Sequence, residues 1–179
     1  MSSDATVSER YLGSSRSSPE ANTYGTLAMR PLPEISGYTS VLELWDRKRG
    51  ANLMPNRADF AFEDFAGWHG SISISIVQDG DIYFTLYGSR FVEILGVDLT
   101  HKYLCEAIDE SLVAETKQHF KDLISGPHIG HTSGFAPTTN RDFIPFDVLD
   151  LPLSDNDRDV TQFLHALRKS DRHPATFDH

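Results

Sequence analysis

The 179 residues carry 26 acidic against 16 basic side chains, a net charge of −10, with no basic stripe along the chain. Nucleic-acid and anionic-membrane surfaces need clustered Lys and Arg, so both partners are disfavoured. Hydrophobic residues make up 39%, enough for one core, yet no run approaches the roughly 20 apolar residues of a membrane span and the N-terminus has no leader-like apolar segment.

Residues 1–37 place seven serines in the first eighteen positions and add Pro19, Pro31 and Pro33. Such a stretch buries too little surface to offset its ordering entropy, so a mobile N-terminal arm is expected. From Tyr38 the pattern turns helical: Tyr38, Val41, Leu42 and Trp45 form one stripe, with Glu43, Asp46, Arg47 and Lys48 opposite. Ser40 and Glu43 have capping-box spacing, and Gly50 suits a stop. Asn52–Trp68 lacks a clean period, and a short helical turn is expected around Glu63–Trp68.

Gly70–Phe91 reads as a β-hairpin. Ile72, Ile74 and Ile76 alternate with Ser71, Ser73 and Ser75, and Ile82, Phe84 and Leu86 alternate with Tyr83, Thr85 and Tyr87. A two-residue Asp79-Gly80 loop would oppose Ile76 to Tyr83 and Ser75 to Phe84, mixing the faces. A three-residue Gln78-Asp79-Gly80 loop pairs Ile76 with Ile82, Ile74 with Phe84 and Ile72 with Leu86, and burial of one greasy face selects it. The serine and tyrosine side is then a surface for the first helix or for a second chain.

Ser89 is placed to cap a short helix that runs to Leu95 and ends at Gly96. The longest helix is predicted from Asp109 to Ser125, stopped by Gly126-Pro127. Strands follow over His128–Phe135, Phe143–Leu153 and Val160–Arg168, with a turn at Ser154–Asp157, and residues 169–179 form a flexible tail. Hairpin connections make the sheet antiparallel, with helices gathered on one face.

This order of elements, with Leu42, Trp45, Arg49-Gly50, Pro55, Arg57 and Asp59 ahead of the sheet, Phe84–Glu93 in it, then Gly96, Asp98-Leu99-Thr100 and Leu151-Pro152-Leu153-Ser154, resembles a PAS domain. It is similar to the stand-alone PAS_5 group common in alphaproteobacteria, over about Tyr38 to Arg168. The resemblance implies an α+β fold: a five-stranded antiparallel PAS-like sheet, short helices on one face and an N-terminal amphipathic helix. It also implies a small cavity and a role in sensing, signal relay or partner docking.

Ile74, Phe84, Leu86, Phe91, Tyr103, Phe120 and His131 are the candidate ligand-binding residues, although the aromatic rings serve equally to fill the space as a solid core. Tyr38, Val41, Leu42, Trp45, Tyr83 and Tyr87 are the candidate homodimer interface. Cys105 sits in Lys102–Ala107, unlike the G-x-N-C-R-F-L-Q motif of photosensory PAS domains, and reads as a packing cysteine. The lone cysteine forms no internal disulfide and fits a reducing cytoplasm. His128 and His131 lie an odd offset apart on a strand, as do Asp147 and Asp150, so neither pair shares a face and neither metal nor catalytic role is assigned. The expectation is a non-catalytic, cytoplasmic sensory or adaptor protein that binds no cofactor, takes a small-molecule ligand or a signalling protein partner, and forms a homodimer. Two alternatives are a small α+β isomerase or lyase with a buried His–Asp pair, and a haem- or flavin-binding sensor.

Overall fold

The computed structural model describes residues 22–137 and 143–171. The arm up to residue 21 and the tail from residue 172 lie outside the described residues. Six strands form one antiparallel sheet: β1 (Thr23–Leu27), β2 (Ile72–Gln78), β3 (Asp81–Leu86), β4 (Ile129–Pro137), β5 (Phe143–Leu153) and β6 (Gln162–Lys169), in the spatial order β1-β4-β5-β6-β2-β3. Among the described residues three α-helices accompany it: α1 (Thr39–Arg49), α2 (Ser89–Leu95) and α3 (Glu110–Ser125). Strands β2 to β6 make the five-stranded sheet that the resemblance implies. The sixth is an addition: β1 falls within the segment expected as a mobile arm and pairs along the outer edge of β4, Thr23 opposite Ser133 and Leu27 opposite Ile129. Its backbone hydrogen bonds and Tyr24 supply what the serine-rich composition does not suggest.

The hairpin register is corrected. Gln78 pairs with Asp81, Ile76 with Tyr83 and Ser75 with Phe84, so Asp79-Gly80 is a two-residue turn. Asp79 (φ 53°) and Gly80 (φ 73°) are both left-handed, as the primed hairpin turn requires. A bulge between Ile74 and Ser75 then returns Ile74 to a place opposite Leu86. Burial fails to choose the register because β2, lying between β6 and β3, is covered on both sides. Ser73 and Ser75 have no exposure at all, while Ile72 and Ile74 are 5% and 3% exposed.

Strand alternation therefore divides the sheet into two working faces. Paired positions Ile72 and Ala166, Ile74 and Leu164, and Leu151 and Leu164 share one face. They cluster with Val41, Leu42, Leu44 and Trp45, so α1 lies on the isoleucine side rather than on the serine and tyrosine side. The Trp45 indole donates to the Pro152 carbonyl at 3.0 Å, and the Tyr38 hydroxyl donates to the Asp147 carbonyl at 2.7 Å. Arg49, stacked 4.5 Å from the Trp45 ring, donates to the Met29 carbonyl and so ties the β1–α1 connection to the helix end. Ser40 does not cap: α1 starts after Tyr38 without a side-chain cap, and the Ser40 hydroxyl accepts from Trp68 Nε1.

The other face carries Ser75, Phe84, Asp150 and His165 and looks toward α2 and α3. Gly88 begins α2 because a side chain there meets backbone: a Cβ would lie 2.3 Å from the Gly70 carbonyl and 2.6 Å from that of Ile72. Gly96 ends α2 in the left-handed conformation, and the Asp109 carboxylate caps α3 by accepting from the Ser111 amide at 2.9 Å.

Two outcomes follow for denaturant unfolding. Trp45→Ala removes a fully buried ring and its hydrogen bond and costs about 3–5 kcal/mol. Gly88→Ala, which shrinks nothing, destabilises by more than about 1 kcal/mol, against the small gain that Gly→Ala gives at an unstrained site; a neutral result contradicts the close backbone approach.

Candidate functional site

Between the second sheet face and helices α2 and α3 lies a cavity of about 80 Å³. Phe84 of β3, Phe91 and Leu95 of α2, Leu112 and Phe120 of α3, and Phe146 and Val148 of β5 give it apolar walls. The Asp98 carboxylate closes a turn with the Thr100 amide and hydroxyl, and that turn delivers Leu99 to the same wall. Polar groups gather at one end: Asn22 and Tyr24 at β1, Thr116 on α3, Thr132 on β4, Asp150 on β5 and His165 on β6.

Asp150 organises that end. Its carboxylate accepts from His165 Nδ1 at 2.6 Å and from His119 Nε2 at 3.4 Å, and the Ser75 hydroxyl lies 2.7 Å from His165 Nε2. A carboxylate is acceptor-only, so both rings present N–H to it. The Ser75 hydroxyl and His165 Nε2 extend the chain, and which of the two donates depends on the protonation of the ring. Burial alone would push the Asp150 carboxyl up, but the hydrogen bonds from His119 and His165 outweigh it and hold the group well below the usual carboxylate range. The Tyr24 hydroxyl shares a 3.2 Å hydrogen bond with Thr116 Oγ1, and its ring lies tilted against His119 at a centroid separation of 4.9 Å. Burial, with Glu115 and Asp150 pushing the same way, raises the Tyr24 hydroxyl.

Of the ligand-binding candidates, Phe84, Phe91 and Phe120 line the cavity. The others do not. Ile74 faces α1, Leu86 stands 45% exposed, Tyr103 donates its hydroxyl to Asp79 at the outside of the hairpin, and His131 sits 3.7 Å from Asp147 on the far side of β4. The dimer candidates are redistributed too. Tyr38, Val41, Leu42 and Trp45 are consumed in the chain's own core, Tyr87 lines the cavity, and Tyr83 stacks edge-on with Tyr103. His119 and Asp150, the latter set aside in the sequence for its odd offset from Asp147, are 5% and 2% exposed. Odd offsets hid them: Asp150 does not pair with Asp147 but with two residues 31 and 15 positions away.

Cys105 stands apart. It lines a separate groove with Ile82, Lys117 and Lys121, and burial, reinforced by the charge and hydrogen bond of Asp81, pushes its thiol up to about 12. A thiol held in that form is a poor nucleophile. Haem and flavin do not fit the cavity either: its volume is far below the roughly 300 Å³ at which organic-cofactor pockets begin, and both nearby imidazoles are committed to Asp150. Among the described residues there is no cluster of three potential metal ligands, and no helix is long and apolar enough to cross a membrane.

The PAS_5 family, described as a PAS domain, matches residues 35–168. A solved structure, an RNA-binding Light-Oxygen-Voltage receptor, superposes with a TM-score of 0.51 over 83% of this chain at 13% identity. That likeness is one of fold, and the chain spans 39% of the receptor's length. No curated protein matches the chain.

The Asp150 network makes acid stability measurable. Its folded-state value lies below that of the unfolded chain, about 4, so the stabilisation is complete above that pH and is lost as pH falls toward the depressed value. Asp150→Asn should unfold more easily than the parent at about pH 6, and the gap should narrow steadily toward about pH 3; a gap independent of pH means that the carboxylate is not the charged partner.

Proposed function

Because the chain belongs to the PAS_5 family of PAS domains, we propose that it is a cytoplasmic, non-catalytic sensory and adaptor module that takes a small molecule into the cavity and reports its presence through docking. The observation that carries this reading is the cavity itself, an apolar chamber with its polar groups confined to one end. Ligand sites have that character, with a few polar groups fixing orientation inside an apolar wall.

The relay follows from which elements meet there. Tyr24 on edge strand β1, Phe91 on α2 and Thr116 on α3 all border the chamber, so an occupant touches the sheet's outer strand and both cavity-side helices. A ligand that favours one packing of these elements shifts the population between two arrangements, and a signalling protein or a second copy of the chain distinguishes them. The net charge of −10 favours a protein or small-molecule partner over nucleic acid. Homodimerisation belongs to this reading, but through a surface other than the apolar stripe of α1, which the monomer's core already uses.

The buried Ser75–His165–Asp150 chain favours a second reading, a small enzyme with a His–Asp pocket. Its weakness is access. Ser75 has no exposed surface and is not among the cavity's lining residues, so a substrate in the chamber does not meet its hydroxyl.

Native mass spectrometry of the freshly purified full chain tests the sensor reading. The expected spectrum shows mass beyond the polypeptide that is lost on denaturation and absent from Val148→Phe, whose larger ring fills the chamber. Bare chain in both proteins, together with no thermal shift on adding small amphipathic compounds, overturns it.

A further inference from the structure

A second cleft, of about 500 Å³, lies apart from the chamber, where the start of α1, the turn before β2, the start of α2 and the end of β6 converge. Ser40, Trp68, Ser71, Arg90, Arg168 and Lys169 line it. We propose that it binds a phosphate monoester, with the dianion held by Arg168, Lys169 and Arg90 and the organic body beside Ala66 and the Trp68 ring.

Charge is the first argument. Three cations face one acid, Asp171, in a chain whose net charge is −10. Arg168 and Lys169 have no ion-pair partner among the described residues. Asp147 stands opposite Arg168 in the β5–β6 pairing, but its carboxylate accepts from Ser133 and faces His131, while the Arg168 guanidinium donates to the Gly37 carbonyl. Arg90 meets Glu93 at 3.4 Å with both side chains more than half exposed, a contact of the kind that contributes little. Arg90 and the Arg168-Lys169 pair are far apart in the chain, so no run of basic residues announces the site.

The hydrogen-bonding inventory narrows the ligand. Apart from Asp171, every polar side chain lining the cleft can donate, and the two arginines and the lysine can do nothing else. Ser40 Oγ accepts from Trp68 Nε1 at 2.9 Å, which leaves the hydroxyl proton to donate. A set of donors takes an acceptor. A phosphate monoester brings a charge of about −1.5 to −2 at neutral pH and three strong acceptor oxygens, and a guanidinium fork matches two such oxygens at once. The phosphate fills only part of about 500 Å³, a volume in the range of pockets that hold organic ligands, and the rest is bordered by Ala66 and by Trp68, whose ring is stacked 5.7 Å from Tyr38.

Phenyl phosphate, benzenesulfonate and benzyl alcohol, a dianion, a monoanion and a neutral compound of similar shape, test the proposal. Each is titrated into the full chain at low salt, with NMR following the Trp68 indole N–H and the amides of Ser71 and Lys169. Phenyl phosphate should bind at least tenfold more tightly than benzyl alcohol, with benzenesulfonate between them. The three cations are exposed, so added salt should weaken the phosphate further than the alcohol. Arg168→Gln and Lys169→Gln should each weaken phenyl phosphate at least threefold and leave benzyl alcohol unchanged. Because Arg168 also holds the Gly37 carbonyl, Lys169→Gln decides if Arg168→Gln fails to fold. Equal binding of phenyl phosphate and benzyl alcohol, undiminished affinity in Lys169→Gln, or silence from all three probes overturns the site. Tighter binding of inorganic phosphate than of phenyl phosphate overturns the ester, and shifts confined to chamber residues such as Thr132 and Phe84 overturn the location. None of these results counts against the sensor reading, which rests on the other cavity.

Discussion

One buried carboxylate joins the parts of this molecule. Asp150 sits on β5, takes a hydrogen bond from His165 on the neighbouring strand and another from His119 on α3, and lies at the polar end of the cavity. An ionised group this deep is tolerable only when paired and hydrogen-bonded. Meeting that requirement fixes the distance between helix and sheet at the place where the chamber opens. Joint and site are therefore made of the same atoms, and a change at the site strains the joint.

The sheet divides its labour between two faces. On the α1 side the work is structural: Trp45 anchors to the Pro152 carbonyl, Arg49 to the Met29 carbonyl, and the Asp157 carboxylate accepts from the amides of Leu53 and Met54. These contacts involve the tryptophan, the Arg-Gly pair and the Leu-Pro-Leu-Ser segment by which the family is recognised. The cavity side holds the chemistry, with Asp150, His165, Thr116 and Tyr24 supplied by four different elements. Family membership is thus read mostly from the scaffold, and the polar end of the cavity is built from positions that the family signature does not name.

Strand β1 adds a further consequence. It lies before the family match at residue 35, yet its Tyr24 bonds Thr116 and lies tilted against His119. The chamber is closed partly by a segment that composition assigns to a mobile arm. Edge pairing needs only backbone groups on the added strand, so low hydrophobicity over the first thirty residues is no guide to whether five of them join a sheet.

Local order determined much of this protein: the alternation of β2 and β3, the period of α1 and α3, the stops at Gly50 and Gly96, and the PAS class that their succession implies. Phe84, Phe91 and Phe120 were legible as cavity candidates because apolar rings on cavity-side elements have few other places to go. Register, face and partner were not legible. Two-faced burial of β2 removed the one criterion that separates hairpin registers, and α1, equally able to serve a second chain, spends its stripe on its own sheet. His119 and His165 reach Asp150 from 31 and 15 residues away, and only tertiary structure brings them within hydrogen-bond reach, since the energy of a buried polar contact depends on where strands and helices meet and leaves no period in the chain.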